Sequence, residues 1–216
     1  LSIAAANVLG DNNPELLVTL RDAQQVAILS RNGNGVYTIN QRVQVGDAPF
    51  GIVAGDFDGD PLHLQDFAVT RFLSNSVAVF LNQGSGTFSS PRIFAADIGP
   101  AAITAIDLEG DGDLDLAVTH QASAGDAVTP DVSLLRNDGA GQFSSPESAG
   151  VLNENSGALR FSIAARDIDG DGDPDLIVAD KDSERVSVLT NELVAGSATV
   201  RLVDEIEAAP VSFTLK

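Results

Sequence analysis

With 216 residues, no cysteine, and 12 lysines plus arginines against 31 aspartates plus glutamates, the chain carries a formal net charge of −19. That charge excludes nucleic acid and anionic membrane as partners, and the lack of cysteine excludes disulfides and thiol chemistry. No apolar stretch approaches the roughly 18 residues of a membrane span, so no membrane insertion is expected, and residues 1–10 lack a signal-peptide pattern.

The first predicted strand carries Ile3 and Ala5, then meets the polar stretch Asn7-Val8-Leu9-Gly10-Asp11-Asn12-Asn13-Pro14-Glu15. Two apolar strands follow, Leu16–Thr19 and Val26–Leu29, and a turn from Gly33 to Tyr37 leads into a fourth. The same order returns with Ile52 and Ala54, the acidic loop Asp56-Phe57-Asp58-Gly59-Asp60, a delayed Asp66, strands Phe67–Thr70 and Val77–Phe80, and the turn Gly84–Phe88. A third round has Ile103 and Ala105, the loop Asp107-Leu108-Glu109-Gly110-Asp111-Gly112-Asp113-Leu114-Asp115, strands Leu116–Thr119 and Val132–Leu135, and the turn Gly139–Phe143. The fourth has Ile163 and Ala165, the loop Asp167-Ile168-Asp169-Gly170-Asp171-Gly172-Asp173-Pro174-Asp175, and strands Leu176–Ala179 and Val186–Leu189.

Alternating carboxylates at this spacing suit a hard cation. Calcium takes about six to eight oxygens at about 2.3–2.6 Å, and a short loop supplies them when alternate residues point inward. Positions 1, 3, 5 and 9 offer carboxylates: Asp107, Glu109, Asp111 and Asp115 in the third unit, and Asp167, Asp169, Asp171 and Asp175 in the fourth. Asp113 and Asp173 stand at position 7, where a backbone carbonyl serves. Asp56, Asp58, Asp60 and Asp66 form an altered site, because Pro61-Leu62-His63-Leu64-Gln65 delays the closing acid. The first loop has Leu9 where a ligand belongs, so two strong sites, one altered site and one empty or weak site are expected.

Two other readings are weaker. An EF-hand needs a bidentate glutamate at position 12 and a helix after it, whereas position 12 here is Val118 or Val178 inside apolar β-branched runs. Asp-Gly clusters also make ordinary turns, but two carboxylates about 5 Å apart repel by about 3 kcal/mol at an effective dielectric of about 20. Four or five in one loop call for a counter-ion.

The first ligand positions, Asn7, Asp56, Asp107 and Asp167, lie 49, 51 and 60 residues apart. That period belongs to propeller blades, and small residues in each first strand suit a crowded central axis. The expected fold is all-β: four four-stranded antiparallel repeats at about residues 1–46, 47–97, 98–151 and 152–208. Residues 209–216 read as the first strand of a fifth, which favours a segment of a larger propeller over a closed four-bladed ring. The chain opens on Leu1 and reads as a mature or excised piece.

Loop, flanking strands and Gly-x-Gly-x-aromatic turn together resemble the FG-GAP (also called VCBS) repeat family, the calcium-loop blades of the integrin α-subunit head and of many bacterial extracellular proteins. The resemblance implies calcium at Asp167, Asp169, Asp171, Asp173 and Asp175, at Asp107, Glu109, Asp111, Asp113 and Asp115, and at Asp56, Asp58, Asp60 and Asp66. It departs from the family at Leu9.

The function expected is that of a calcium-rigidified structural, adhesion or protein-binding module of bacterial type, secreted or on the cell surface, without catalysis. Its partners would be the rest of the propeller or parent protein and a protein or glycan ligand at the cell surface or matrix. The alternative is a lectin-like propeller or part of a polysaccharide-degrading enzyme. Sugar-stacking aromatics are scarce, with no tryptophan and one tyrosine, Tyr37, which sits where Phe88 and Phe143 sit in sister units. His63 and His120 read as rim residues, and Arg21, Arg71, Arg166 and Arg185 offer a clamp for an acidic sugar. The insertion Gln121–Pro130 is the candidate variable surface.

Overall fold

The computed structural model describes residues 1–11, 13–61, 63–121, 132–149, 160–180, 185–194 and 197–207. Among these residues, sixteen strands form four antiparallel sheets, each in chain order. The first holds β1 (Ile3–Ala6), β2 (Glu15–Leu20), β3 (Gln25–Arg31) and β4 (Tyr37–Gln44). The second holds β5 (Pro49–Gly55), β6 (Asp66–Arg71), β7 (Ser76–Phe80) and β8 (Arg92–Ala95). The third holds β9 (Pro100–Ile106), β10 (Asp115–His120), β11 (Val132–Leu135) and the short β12 (Glu147–Ser148). The fourth holds β13 (Arg160–Arg166), β14 (Asp175–Asp180), β15 (Arg185–Val194) and β16 (Ser197–Glu207). The expected all-β repeat of four four-stranded units is therefore present.

Alternation along the strands builds a core between each pair of sheets rather than within one. In the second sheet Phe67, Val69, Ala78 and Phe80 face the first unit, where they meet Val8, Leu17, Val26 and Ile28. On the opposite face Ala68, Val77 and Val79 meet Ile103, Leu116, Val118 and Leu135 of the third unit. A third layer joins Ile106, Leu108, Ala117 and Leu134 to Ile163, Leu176, Val178 and Leu189 of the fourth. Each buried Val, Leu or Phe contributes about 1.5–3 kcal/mol. The middle strands of the second and third sheets are accordingly buried on both faces, while β2 alternates buried and half-buried residues.

The first strands pack in order, β1 on β5, β5 on β9 and β9 on β13. Small residues make this possible: a Cβ on Gly51 would lie 2.4 Å from the carbonyl oxygen of Ala101. Threonine hydroxyls add a polar link, Thr19 donating to the carbonyl of Phe50 at 3.1 Å and Thr70 to that of Ala101 at 2.7 Å. The expected fifth first strand at 209–216 and the insertion beyond Gln121 lie outside the described residues.

Candidate metal centre

Each acid loop joins the first and second strands of its unit, so all four loops fall on one rim. The frame is set by a buried acid that opens the second strand: Glu15, Asp66, Asp115 and Asp175. In every unit this acid accepts the N–H of the loop's second residue, Val8 at 3.1 Å, and Phe57, Leu108 and Ile168 at 2.9 Å. In the last three units the other carboxylate oxygen accepts the N–H of an asparagine just past the third strand, Asn82 and Asn137 at 2.7 Å, or within it, Asn191 at 2.9 Å. A buried acceptor is tolerated because both oxygens are used. The two-residue delay before Asp66 thus leaves the frame in register.

The position-1 aspartates wrap the loop on themselves. Asp56, Asp107 and Asp167 accept the N–H groups of Gly59, Gly110 and Gly170 at 3.0, 2.8 and 2.7 Å. Gly170 and Gly172 adopt φ of +84° and +104°, backbone that other residues reach only with strain. Further along, Asp58 accepts the N–H of Asp60, Asp111 that of Asp113 and Asp171 that of Asp173. Asp60 in turn accepts the N–H of Leu64 at 3.2 Å.

The loops differ in how closely their carboxylates converge. Oxygens of Asp56, Asp58 and Asp66 lie within 4.8 Å of one another, as do those of Asp167, Asp169 and Asp175. Asp171 stays at the exposed edge of its loop. In the third unit Arg136 pairs with Glu109 and, at 3.2 Å, with Glu147. Asp107, Asp111, Asp113 and Asp115 show no equivalent triad among the described residues, and Asp113 packs against Gly139. In the first unit Glu15 also takes the N–H of Leu9 at 3.1 Å, and Leu9 packs against Gly86 of the second unit.

Electrostatics report the crowding. Burial pushes the Asp66 carboxyl up to about 7, opposed by the N–H groups of Asn82 and Phe57 and reinforced by the charges of Asp58 and Asp56. Burial likewise lifts Asp115 to about 6, with Asp111 and Asp107 adding to it. Asp58 is raised by burial and by its neighbours Asp60 and Asp56. Converging carboxylates are a donor set of hard oxygens that a calcium ion fits. The second-unit and fourth-unit loops satisfy that test most fully; His63 adds its Nδ1 at 2.8 Å from Asp56.

The asparagines are the functional residues that the motif reading missed. Their side-chain Nδ2 groups cross to the preceding unit and donate to the carbonyl of its second loop residue: Asn82 to Val8 at 2.9 Å, Asn137 to Phe57 at 2.8 Å and Asn191 to Leu108 at 3.0 Å. The signal was present as an asparagine five residues past Val77, Val132 and Val186, with Arg31 in its place in the first unit.

The opposite rim is chemically distinct. The Arg21 guanidinium lies 5.6 Å from the ring centre of Phe50 and 5.3 Å from that of Phe72, and Arg71 pairs with Asp47. His120, expected at the rim, is buried, with Nε2 2.9 Å from the hydroxyl of Ser133, which donates to Asp97. Serine sits between imidazole and carboxylate, so this trio ties the linker before β9 to its blade and does not form a nucleophile–base–acid relay.

A family model described as an FG-GAP-like repeat matches residues 64–118 and 122–178. No curated protein matches the chain. Among solved structures, it superposes on a Bacteroides uniformis protein assigned provisionally as a 6-phosphogluconolactonase, with TM-score 0.62 and 14% identity over 99% of this chain and 59% of that one. It also superposes on a lectin from Agrocybe aegerita that recognises non-reducing terminal N-acetylglucosamine, with TM-score 0.59 and 18% identity over 94% and 50%. The periplasmic gluconolactonase of Pseudomonas aeruginosa aligns with TM-score 0.58 and 16% identity over 95% and 53%. The chain thus spans about half the length of the structures it matches, and at these identities the likeness is one of fold. The expectation of a chain without catalysis does not stand, because two of these propellers are named as lactonases. Blades form a scaffold and chemistry resides in the loops they carry, so the fold gives no ground for excluding an enzyme.

Proposed function

This chain belongs to the FG-GAP-like repeat family, and from that premise we propose that it is a calcium-stabilised propeller segment serving as a structural, adhesion or ligand-binding module outside the cell. The observation that carries the calcium reading is the convergence of Asp56, Asp58 and Asp66, and again of Asp167, Asp169 and Asp175, with no lysine or arginine paired to these six among the described residues. Asp60, Asp171 and Asp173 complete those loops, and Asp107, Glu109, Asp111, Asp113 and Asp115 form the intervening one. A bound divalent ion would supply the positive charge that the converging carboxylates lack. Extracellular modules of modest affinity, about 10⁻⁴–10⁻³ M, are filled by ambient calcium, which supports a secreted or cell-surface setting for a fold without disulfides.

For the ligand, the favoured surface is the rim opposite the acid loops. Arg21 rests over the rings of Phe50 and Phe72 and has no carboxylate within ion-pair distance among the described residues. An aromatic floor orients a guanidinium toward a planar carboxylate, so an acidic sugar or an acidic protein side chain is the class of ligand it suits.

Calcium uptake is measured by titration calorimetry on chelator-treated protein, with ions counted by native mass spectrometry. Two or three ions per chain are expected, and failure to bind any at millimolar calcium overturns the reading. An array of neutral and acidic glycans, run with calcium and with chelator, tests the ligand.

A further inference from the structure

The frame hydrogen bonds join into one line through all four units. Glu15 accepts from the N–H of Val8, and the Val8 carbonyl accepts from Asn82, whose own N–H goes to Asp66. Asp66 accepts from Phe57, the Phe57 carbonyl from Asn137, and Asp115 from the N–H of Asn137. Asp115 accepts from Leu108, the Leu108 carbonyl from Asn191, and Asp175 from the N–H of Asn191 and of Ile168. In the last three units the closing acid therefore divides its two oxygens between its own loop and the asparagine that grips the loop before it.

We propose that Asn82, Asn137 and Asn191 are positioning residues that couple neighbouring acid loops, so that calcium enters the units cooperatively. The inference rests on the calcium reading above. An ion held by Asp175 would fix that carboxylate, the carboxylate fixes Asn191, and Asn191 fixes the Leu108 peptide of the preceding loop. Once one loop is ordered, its neighbour loses less conformational entropy on binding, and the two sites strengthen each other reciprocally. The line is buried where it passes through Asp66, Asn82, Asp115, Asn191 and Asp175, so water does not compete for its hydrogen bonds. Asparagine suits this role because its amide donates back to the preceding unit while its backbone N–H stays with its own. The same three contacts also dock sheet on sheet, so the test must read binding at a distance and not stability alone.

The experiment is calcium titration of the full chain as wild type, Asp169→Ala, Asn191→Ala and the double variant, with ions counted by native mass spectrometry. Asp169 lies outside the line, and its hydrogen bond, from the N–H of Asp171, stays within its own loop. Coupling predicts a sigmoidal wild-type isotherm, the loss of one ion in Asp169→Ala, and an affinity of the remaining ions lowered by about fivefold or more. It further predicts that Asp169→Ala no longer weakens those ions once Asn191 is alanine. Loss of one ion with the other affinities unchanged overturns the coupling and leaves the calcium reading standing. A wild type that takes up no ion removes both. Should Asn191→Ala lose its β-sheet circular dichroism, the wild-type and Asp169→Ala isotherms still decide, and Asn137→Ala tests the same link between the second and third units.

Discussion

In the first loop Glu15 takes the N–H groups of Val8 and Leu9 at 3.1 Å each, and in the fourth Asp175 takes those of Ile168 and Asn191 at 2.9 Å. Both acids are buried and both set the entry to the second strand. What hangs from the frame differs: Asp167 and Asp169 converge on Asp175, whereas Asn7 and Leu9 occupy those positions in the first unit. The closing acid is thus part of the architecture, and positions 1, 3 and 5 form a separable layer that a unit can keep or lose. The fate of the second loop residue makes a related point: Val8 is buried under the next sheet, while Ile168 is 50% exposed.

The sharpest way to break this distinction is to remove a closing acid. Asp175→Ala leaves the buried N–H of Asn191 and the part-buried N–H of Ile168 without an acceptor, which costs about 2–3 kcal/mol. The loss is expected both with calcium and with chelator, read as a lower urea midpoint. A variant that is destabilised only in calcium would show that Asp175 is a ligand and nothing else.

A position-5 change should behave in the opposite way. Asp171 is exposed and outside the frame, so Asp171→Ala is expected to melt as wild type does in chelator. In calcium at a hundred times the dissociation constant it forfeits the stabilisation of one site, about 2.7 kcal/mol. Equal melting temperatures for the two proteins in calcium would place Asp171 outside any ion site.

A third separation uses protons in place of calcium. The folded, ion-free chain holds Asp66 near 7 and Asp115 near 6, above the ordinary carboxylate value. Native protein therefore binds these protons more tightly than unfolded protein does, so their contribution is complete below about pH 4 and is lost as pH rises through about 6 to 7. In chelator the denaturation midpoint is expected to fall between pH 5 and pH 8, and Asp66→Asn should flatten that fall. A midpoint that rises over this range contradicts the crowding of the second-unit loop.

Much of this frame was legible beforehand because its determinants are local. The roughly fifty-residue period, the alternating acids and the β-branched runs that follow each loop all lie within short windows, and they specify four four-stranded sheets. The Asn82–Val8, Asn137–Phe57 and Asn191–Leu108 contacts span 74, 80 and 83 residues, and no spacing rule within a unit reports them. Arg136 was hidden in the same way: the arginine that meets Glu109 comes from beyond the third strand of its own unit. His120 read as a rim residue because it ends a strand, and its burial depends on Ser133 and Asp97 from two other segments.

The mildest intervention places an acid where the first unit has a leucine. Leu9→Asp would place a carboxylate at position 3 beside Asn7 and Asp11, above a frame that Glu15 already holds. The leucine packs against Gly86 and is half-buried, so in chelator the change should cost no more than about 1 kcal/mol. In calcium the chain is expected to take up one additional ion at the weak end of extracellular sites, about 10⁻³ M, counted by native mass spectrometry. An unchanged ion count would mean that the longer Glu15 side chain holds the first loop in a form that a third carboxylate does not convert, and that frame and ligand layer are not independent after all.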